Sequence, residues 1–405
     1  SMEEGEGFLH VLRALRDAAR RVGAGEVRGP ALQALLALEA GADDLLAGDP
    51  DLVALHRLLC RLRALSCSLD LCSGSLSLRA RCRRCGARRA VARVAGAVAG
   101  EIQAWVDREA IARLVAALRG GRVDAARALL AELEARLLSL SAGGRFDPRL
   151  QGALLRHGVF PAVEAGIGDP AVGDGCAAAV LALVRFNKDV FVGPVLMGPA
   201  VGALVASASA SAAPLRALNG LVDAIRSPLV DELHARGELP RLVALLCAPD
   251  PRARIPALGF ALRVGYYGRK EVVDALLAEG LVKRLLCLQR SDLGGSLADT
   301  DEDEDGCPKA KPDDAKAGGS LLLLACLPTV WRRREGNGDA DMDTEERPFV
   351  SAVSRFAVQV EVGVVLSPRE KRETKLEILR RVREAAVSPA EEATVLAEVL
   401  WGATP

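Results

Sequence analysis

Apolar residues recur at spacings of three and four along most of this chain, the rhythm of helices that bury one face. In PDLVALHRLLCRLRAL (50–65), Leu52, Leu55, Leu58, Leu59, Leu62 and Leu65 share a face of a helix that opens at the Asp49-Pro50 pair. Residues 88–119 carry Ile102, Trp105, Val106, Ile111, Leu114, Val115 and Leu118 and predict one or two helices; 122–140 predict another. Gly23-Ala24-Gly25, Gly29-Pro30, Gly48 to Pro50 and Gly120-Gly121 mark the breaks. Residues 1–145 are therefore expected to form an N-terminal helical region. Helical patterning returns near the C-terminus in 348–362, 367–387 and 388–402, where Ser-Pro at 367–368 and 388–389 open two helices.

Between these regions a short phrase returns four times: LLRHGVFPAV (154–163), LMGPAVGAL (196–204), LHARGELPRLVALL (233–246) and LLAEGLVKRLL (276–286). Its glycines, Gly158, Gly198, Gly237 and Gly280, are 40, 39 and 43 residues apart. That period belongs to helical arrays of the armadillo or HEAT kind, whose short helices bury their apolar faces only by stacking on neighbours. Each glycine is placed where one helix ends and the next begins steeply, a position that favours positive φ. After each phrase come an apolar helix, a break with Asp or Pro, and a third helix: Cys176 to Phe186, Leu215 to Ile225 and Ile255 to Val264. Three helices per unit favour the armadillo form. The fold class is all-α, an armadillo-type right-handed superhelix (α-solenoid) preceded by a helical bundle. The array is assigned to 146–290, a largely disordered acidic insert with an apolar piece (320–331) to 291–346, and capping helices to 347–405.

Composition narrows the function. Half of the residues are apolar and only 3% aromatic, with Ala, Leu and Val carrying the apolar share. With 53 basic and 53 acidic residues, no global field argues for nucleic acid or an anionic membrane. The acidic N-terminus lacks a secretory pattern, and Ser1 before Met2 reads as a cloning remnant, so a cytoplasmic and/or nuclear location is expected and the ten cysteines read as reduced thiols. Cys176, Cys247 and Cys287 fall in apolar repeat segments and are expected in the core. The uncharged stretch 190–215 is long enough to span a bilayer, but Gly193, Pro194, Gly198, Pro199, Gly202 and Pro214 break it, and the repeat register accounts for it.

Candidate chemistry is sparse. Asp301 to Gly306 copies the first six positions of a calcium loop, yet the twelfth position is Pro312 rather than Glu. Cys82 and Cys85, with His56, Cys60, Cys67 and Cys72, offer zinc ligands, but a second pair at matching spacing is absent and Arg79, Arg81, Arg83, Arg84, Arg88 and Arg89 oppose another cation. Those arginines read as a solvated face, a localisation signal or a patch for an acidic partner. No GxxxxGK[ST], GxSxG or HExxH occurs, so no catalytic residue, cofactor or metal is assigned. On the third helices, Arg185, Asn187 and Lys188, then Asn219 and Arg226, then Arg263, Arg269 and Lys270 form a net basic stripe facing the groove of the array.

Whole phrases, among them EIQAWVDRE (101–109), LVRFNKDVFVGPVLMGPAV (183–201), IRSPLVDE (225–232), GYYGRKE (265–271), LVKRLLCLQRSDLGG (281–295) and RFAVQVEVGVVLSPREKRETKLEILRRVREAAVSPAEEATVLAEVLWG (355–402), resemble a plant family of armadillo repeat proteins over more than half of the chain. The N-terminal helices resemble the region that precedes the U-box in plant U-box armadillo ubiquitin ligases, although no U-box is evident. The resemblance implies an armadillo superhelix in an intracellular plant protein. From the residues, the expected function is a non-enzymatic adaptor whose groove binds an acidic, phosphorylated or extended segment of another protein. The alternative is an accessory or substrate-recognition component of a ubiquitin ligase; neither nucleic acid nor a membrane span is expected.

Overall fold

The computed structural model describes residues 2–27, 29–41, 52–71, 78–143, 145–293 and 347–401, and these form helices with no strand among them. The Asp49-Pro50 start, the calcium-loop mimic at 301–306, the acidic tracts of the insert and the apolar piece 320–331 lie outside the described residues. The chain divides into two compact units, Ser1–Ala125 with Phe146–Val159, and Ala126–Arg145 with Phe160–Pro405.

The first unit holds α1 (Met2–Gly23), α2 (Pro30–Gly41), α3 (Val53–Leu71) and α4 (Leu78–Arg119). Its core joins Leu12, Leu15, Ala19 and Val22 of α1, Leu55, Leu59 and Leu62 of α3, and Val91, Ala95, Val98 and Ile102 of α4, each series stepping by three or four. The sequence predicts one or two helices over 88–119; the structure makes one helix of 42 residues that starts ten residues earlier, because proline is absent and the alanines favour continuation. Arg16 and Arg20 both donate to Gln103 Oε1, at 3.0 and 2.9 Å, and tie α1 to α4. The next helix, α5 (Val123–Ala142), belongs mainly to the second unit, whereas α6 (Pro148–Arg156) returns to the first, where Arg149 pairs with Glu101 at 2.6 Å. Asp147 caps α6, accepting from the backbone N–H groups of Arg149 and Leu150.

The second unit continues as an array: α7 (Val159–Gly166) and α8 (Gly173–Phe186); α9 (Lys188–Met197), α10 (Ala200–Ser207) and α11 (Ala212–Ile225); α12 (Ser227–Ala235), α13 (Leu239–Ala244) with a 3₁₀ turn, and α14 (Pro251–Tyr267). Then come α15 (Lys270–Ala278), α16 (Leu281–Leu293) and α17 (Ala352–Val362), followed by α18 (Pro368–Ala385) and α19 (Pro389–Trp401). The third helices stack in order, α8 on α11, α11 on α14 and α14 on α17. Bonds between neighbouring repeats span a nearly constant stretch of sequence: Glu164 to Ala200 over 36 residues, Asn219 to Pro256 over 37, and Asp223 to Arg263, Ser227 to Tyr267 and Leu196 to Arg236 over 40. Each repeat is stapled to its neighbour, the signature of a quasi-one-dimensional array. The chain is an all-α protein of armadillo-type α-solenoid fold.

One difference from the sequence reading concerns the insert. The phrase around Gly280 supplies the first two helices of a unit, α15 and α16, and the third is α17, across residues 294–346. Asp292 Oδ2 accepts from Phe349 N–H at 2.6 Å, and Gln289 Oε1 from Val353 N–H at 3.3 Å, so the chain leaves and re-enters at one place. Residues 352–362 thus complete a repeat, whereas α18 and α19 begin the next.

The predicted glycine turns hold at Gly158, Gly237 and Gly280, with φ of 62°, 70° and 79°. Gly198 differs, at φ −90°. A Cβ there would lie 2.6 Å from Pro194 O and 2.7 Å from Glu164 Oε1, so this glycine makes room rather than a left-handed turn. Glu164 uses the space to accept the Ala200 N–H at the start of α10, and burial pushes its carboxyl above the ordinary carboxylate range. Cys176 is buried, with its thiol pushed up to about 12 by burial and then by Asp169, but Cys247 and Cys287 are exposed, a correction to their expected core placement. In the stretch 190–215, α9 and α10 meet at a 70° bend, and no single described helix is long and apolar enough to cross a membrane. His56 Nε2 lies 3.6 Å from Cys60 Sγ, and no group of three or more His, Cys, Asp or Glu side chains converges among the described residues.

Acid stability follows from α18. Arg380 and Arg381 hydrogen-bond to Glu377 and hold its carboxyl near about 2, below its ordinary 4.5; Glu370 and Glu391 are lowered too. A lowered carboxylate stabilises the fold above its unfolded value and ceases to do so as pH falls through its folded value. The urea midpoint is expected to fall as pH drops from 4.5 towards 2, and Glu377→Gln to be less stable than the parent at neutral pH but to flatten that slope.

Candidate partner-binding face

The face lined by third helices is shaped by how closely they approach. Gly220 of α11 lies under Leu181 and Arg185 of α8: a Cβ there would be 2.5 Å from Leu181 Cδ2 and 3.2 Å from Arg185 Nη2. Gly259 of α14 takes the same place against α11, 3.2 Å from Arg263 Nη1 and 3.3 Å from Asn219 Nδ2, and Gly265 meets the Phe356 ring of α17 at 3.0 Å. Polar groups on this seam pair with one another because water is excluded. Arg263 is 2% exposed and forks onto Asp223 with bonds of 3.0 and 2.8 Å, while Nη1 donates to Gly259 O at 3.0 Å. Asn219, also buried, donates to Pro256 O at 2.8 Å, and its Oδ1 has no hydrogen-bond partner.

These geometries sort the predicted stripe. Arg185 is exposed, makes no ion pair among the described residues, and reaches over Gly220 across the seam between repeats. Lys188 is exposed at the start of α9, and Asn187 is the extended residue between α8 and α9. Arg226 is exposed at the junction of α11 and α12. Arg263 and Asn219 are corrections: they fill the seam between third helices, because their positions face the neighbouring repeat rather than solvent. Arg269 pairs with Asp231 at 3.1 Å and Lys270 with Asp274 at 2.5 Å, so both are compensated. Sequence reasoning omitted Arg216 and Arg252, exposed on α11 and α14. Their place three or four residues from Gly220 and Ile255 was the available signal.

Arg226 is further marked by its backbone. It holds φ 69° and ψ −139°, and non-glycine residues kept at such angles cost about 1–3 kcal/mol. Its N–H donates to Val222 O at 2.7 Å and its carbonyl accepts from Leu229 N–H at 3.1 Å, which locks the turn. Nearby, Tyr266 and Tyr267 stack edge to face with centroids 4.7 Å apart, and burial, followed by Asp223, raises the Tyr267 phenol, so the hydroxyl remains a proton donor. The face offers separated guanidinium forks beside an aromatic pair, and the chemistry it suits is recognition of carboxylate or phosphate along an extended chain.

No family model matches the chain, and no curated protein matches it. Among solved structures, the designed armadillo repeat protein YIII(Dq)4CqI is similar at 14% identity over 71% of this chain and 99% of its own, with a TM-score of 0.41. Another, YIII(Dq.V1)4CPAF, solved in complex with the peptide (KR)4, is similar at 13% identity over 72% and 99%, with a TM-score of 0.40. An engineered protein of known crystal structure is similar at 14% identity over 97% and 98%, with a TM-score of 0.38. Likeness of this size carries no argument, and the armadillo assignment rests on the three-helix units and their stapled third helices.

Removing one member of a buried ion pair strands the other. Asp223→Ala is expected to destabilise the second unit by about 3–5 kcal/mol, whereas Asp223→Leu with Arg263→Met, which removes both charges, costs much less. Urea unfolding of the three proteins checks the ordering.

Proposed function

We propose that this chain is a non-enzymatic protein-binding scaffold whose third-helix face takes an acidic or phosphorylated extended segment of another protein, in the cytoplasm or nucleus. The observation that carries the reading is Arg185, an exposed guanidinium with no ion pair among the described residues, laid across the seam over Gly220. Arg216 and Arg226 extend the charge along the next third helix, and Asp223, the acid closest to them in sequence, is already engaged by Arg263. Guanidinium forks one repeat apart match an extended chain, whose alternate side chains recur at fixed intervals. A basic segment would meet like charge here and be rejected.

The test is calorimetry with a ten-residue polyglutamate peptide, a phosphoserine-containing peptide and a Lys/Arg peptide. The parent chain is expected to bind the anionic peptides at least tenfold more tightly than the basic one, and Arg185→Glu with Arg226→Glu to abolish that preference. Equal affinity of parent and double variant for the anionic peptides defeats the reading. Arg226→Gly separates strain from charge: relief of the positive φ should raise stability by about 1 kcal/mol while anionic-peptide affinity falls.

A further inference from the structure

Beyond the groove, the N-terminal end of α4 presents a second cationic surface of a different kind. From Arg79 to Ala90 no described side chain is buried; the core begins at Val91, which is 0% exposed. This end carries Arg79, Arg81, Arg83, Arg84, Arg88 and Arg89, with Arg93 one turn further on, and no acid occurs between Asp70 and Glu101. Arg79, Arg81, Arg83, Arg88, Arg89 and Arg93 are exposed and make no hydrogen bond or ion pair through their side chains among the described residues.

The arrangement is electrostatically unfavourable by itself. Cations at a helix N-terminus oppose the helix dipole, and Arg79 and Arg81 stand in the first turn of α4. Arg79 and Arg83, Arg84 and Arg88, and Arg89 and Arg93 are like-charge pairs four residues apart, which destabilise the helix further. Local conflicts of this kind, in which Arg79, Arg81, Arg83, Arg88, Arg89 and Arg93 have no compensating partner among the described residues, concentrate where a ligand supplies the compensation.

Azimuth and bulk identify the ligand class. At about 100° per residue the six arginines from 79 to 89 are spread around the axis, leaving no gap wider than about a third of a turn. A membrane surface requires basic residues on one face and apolar ones on the other, but the intervening residues are Ala80, Cys82, Cys85, Gly86 and Ala87. An acidic protein segment meets one side of a helix. Anionic walls on both sides of a helix are what the major groove of duplex DNA provides; it is about 12 Å wide and admits a helix. The small intervening residues keep this helix slim, and Arg79 to Arg93 spans about 21 Å, or roughly six base pairs.

We propose that the N-terminal end of α4 is a duplex-DNA-binding element that contacts phosphates on both sides of the major groove. The stretch 79–93 holds no Asn, Gln, Ser or Thr to read adenine or thymine edges, so binding is governed by phosphate contacts and is largely indifferent to sequence. The zero net charge of the whole chain does not oppose this, since the field at this helix end is local.

The test uses the full chain and a fluorescein-labelled 20-base-pair duplex in anisotropy titrations at 50, 100 and 200 mM salt. With five or six phosphates neutralised, affinity should fall more than a hundredfold from 50 to 200 mM, with a log–log slope of about −5. Arg79→Gln, Arg83→Gln, Arg88→Gln and Arg89→Gln together should remove about one unit of slope per arginine and leave the thermal midpoint unchanged or higher, as the like-charge repulsion is gone. Equal duplex affinity in parent and variant, or no binding by the parent at 50 mM salt, overturns the proposal. Should the variant misfold, competition against the parent decides: duplex displaced by polyglutamate at equal charge indicates an acidic protein, and displacement by phosphatidylserine vesicles a membrane, and either overturns it. Arg185→Glu with Arg226→Glu should leave duplex binding intact, which keeps this element distinguishable from the groove.

Discussion

Contact between successive third helices is the constraint from which most of the second unit follows. Gly220, Gly259 and Gly265 each remove a side chain where the neighbouring helix presents Leu181, Asn219 or Phe356. Helices this close leave no layer of water, so polar groups on the seam take partners within the protein, with Asn219 Oδ1 an exception. Arg263 is consequently fixed by Asp223 and by its own helix, and Asn219 by Pro256. What remains for a ligand is what the seam does not consume, namely Arg185, Arg216, Arg226 and the edge of the tyrosine pair.

The same constraint explains why the array tolerates residues 294–346 within one repeat. Each third helix is judged by its neighbour in space, not by its distance along the chain, and loop-closure entropy grows only slowly with length. The Asp292 and Gln289 side chains fix the re-entry by engaging the backbone of Phe349 and Val353. The register then resumes: Phe356 and Gln359 face Gly265 of α14 as Gly259 and Arg263 of α14 face α11. Leu258 and Leu262, on the same stripe of α14 as Gly265, are 3% and 4% exposed, whereas Val358 and Val362 of α17 are 39% and 44% exposed. No described third helix follows α17 to cover them.

Features set by local chemistry were legible in the sequence. The helix starts at Ser367-Pro368 and Ser388-Pro389 stand as read, the first with a full capping box through Glu370, and three of the four phrase glycines turn with positive φ. Features set by azimuth were not. Arg185 and Arg263 look alike in a linear reading, yet one lies over the seam and the other in it. Gly198 resembles its three counterparts in the phrase, but the Glu164 carboxylate, 34 residues earlier, decides its role. Cys247 and Cys287 sit in apolar stretches on exposed positions, because a helix of period 3.6 exposes some residue on nearly every turn.

Charge neutrality is a case where a whole-chain quantity conceals the physics. Residues 294–346 contain 14 acids and six bases, so the rest of the chain carries 47 bases and 39 acids. Part of that surplus serves the fold at helix ends: Arg236, which also pairs with Glu232, donates to the carbonyls of Leu196 and Gly198 at the end of α9, and Arg381, bonded as well to Glu377, donates to Leu277 O at the end of α15. A guanidinium at a helix C-terminus satisfies orphan carbonyls and complements the dipole, so the helix end holds such arginines along with the neighbouring acid. Arginines at a helix N-terminus have the opposite standing, since the carbonyls they would need are absent and the dipole repels them. Position along the helix, rather than the count of charges, therefore separates arginines that complete the fold from those left facing solvent.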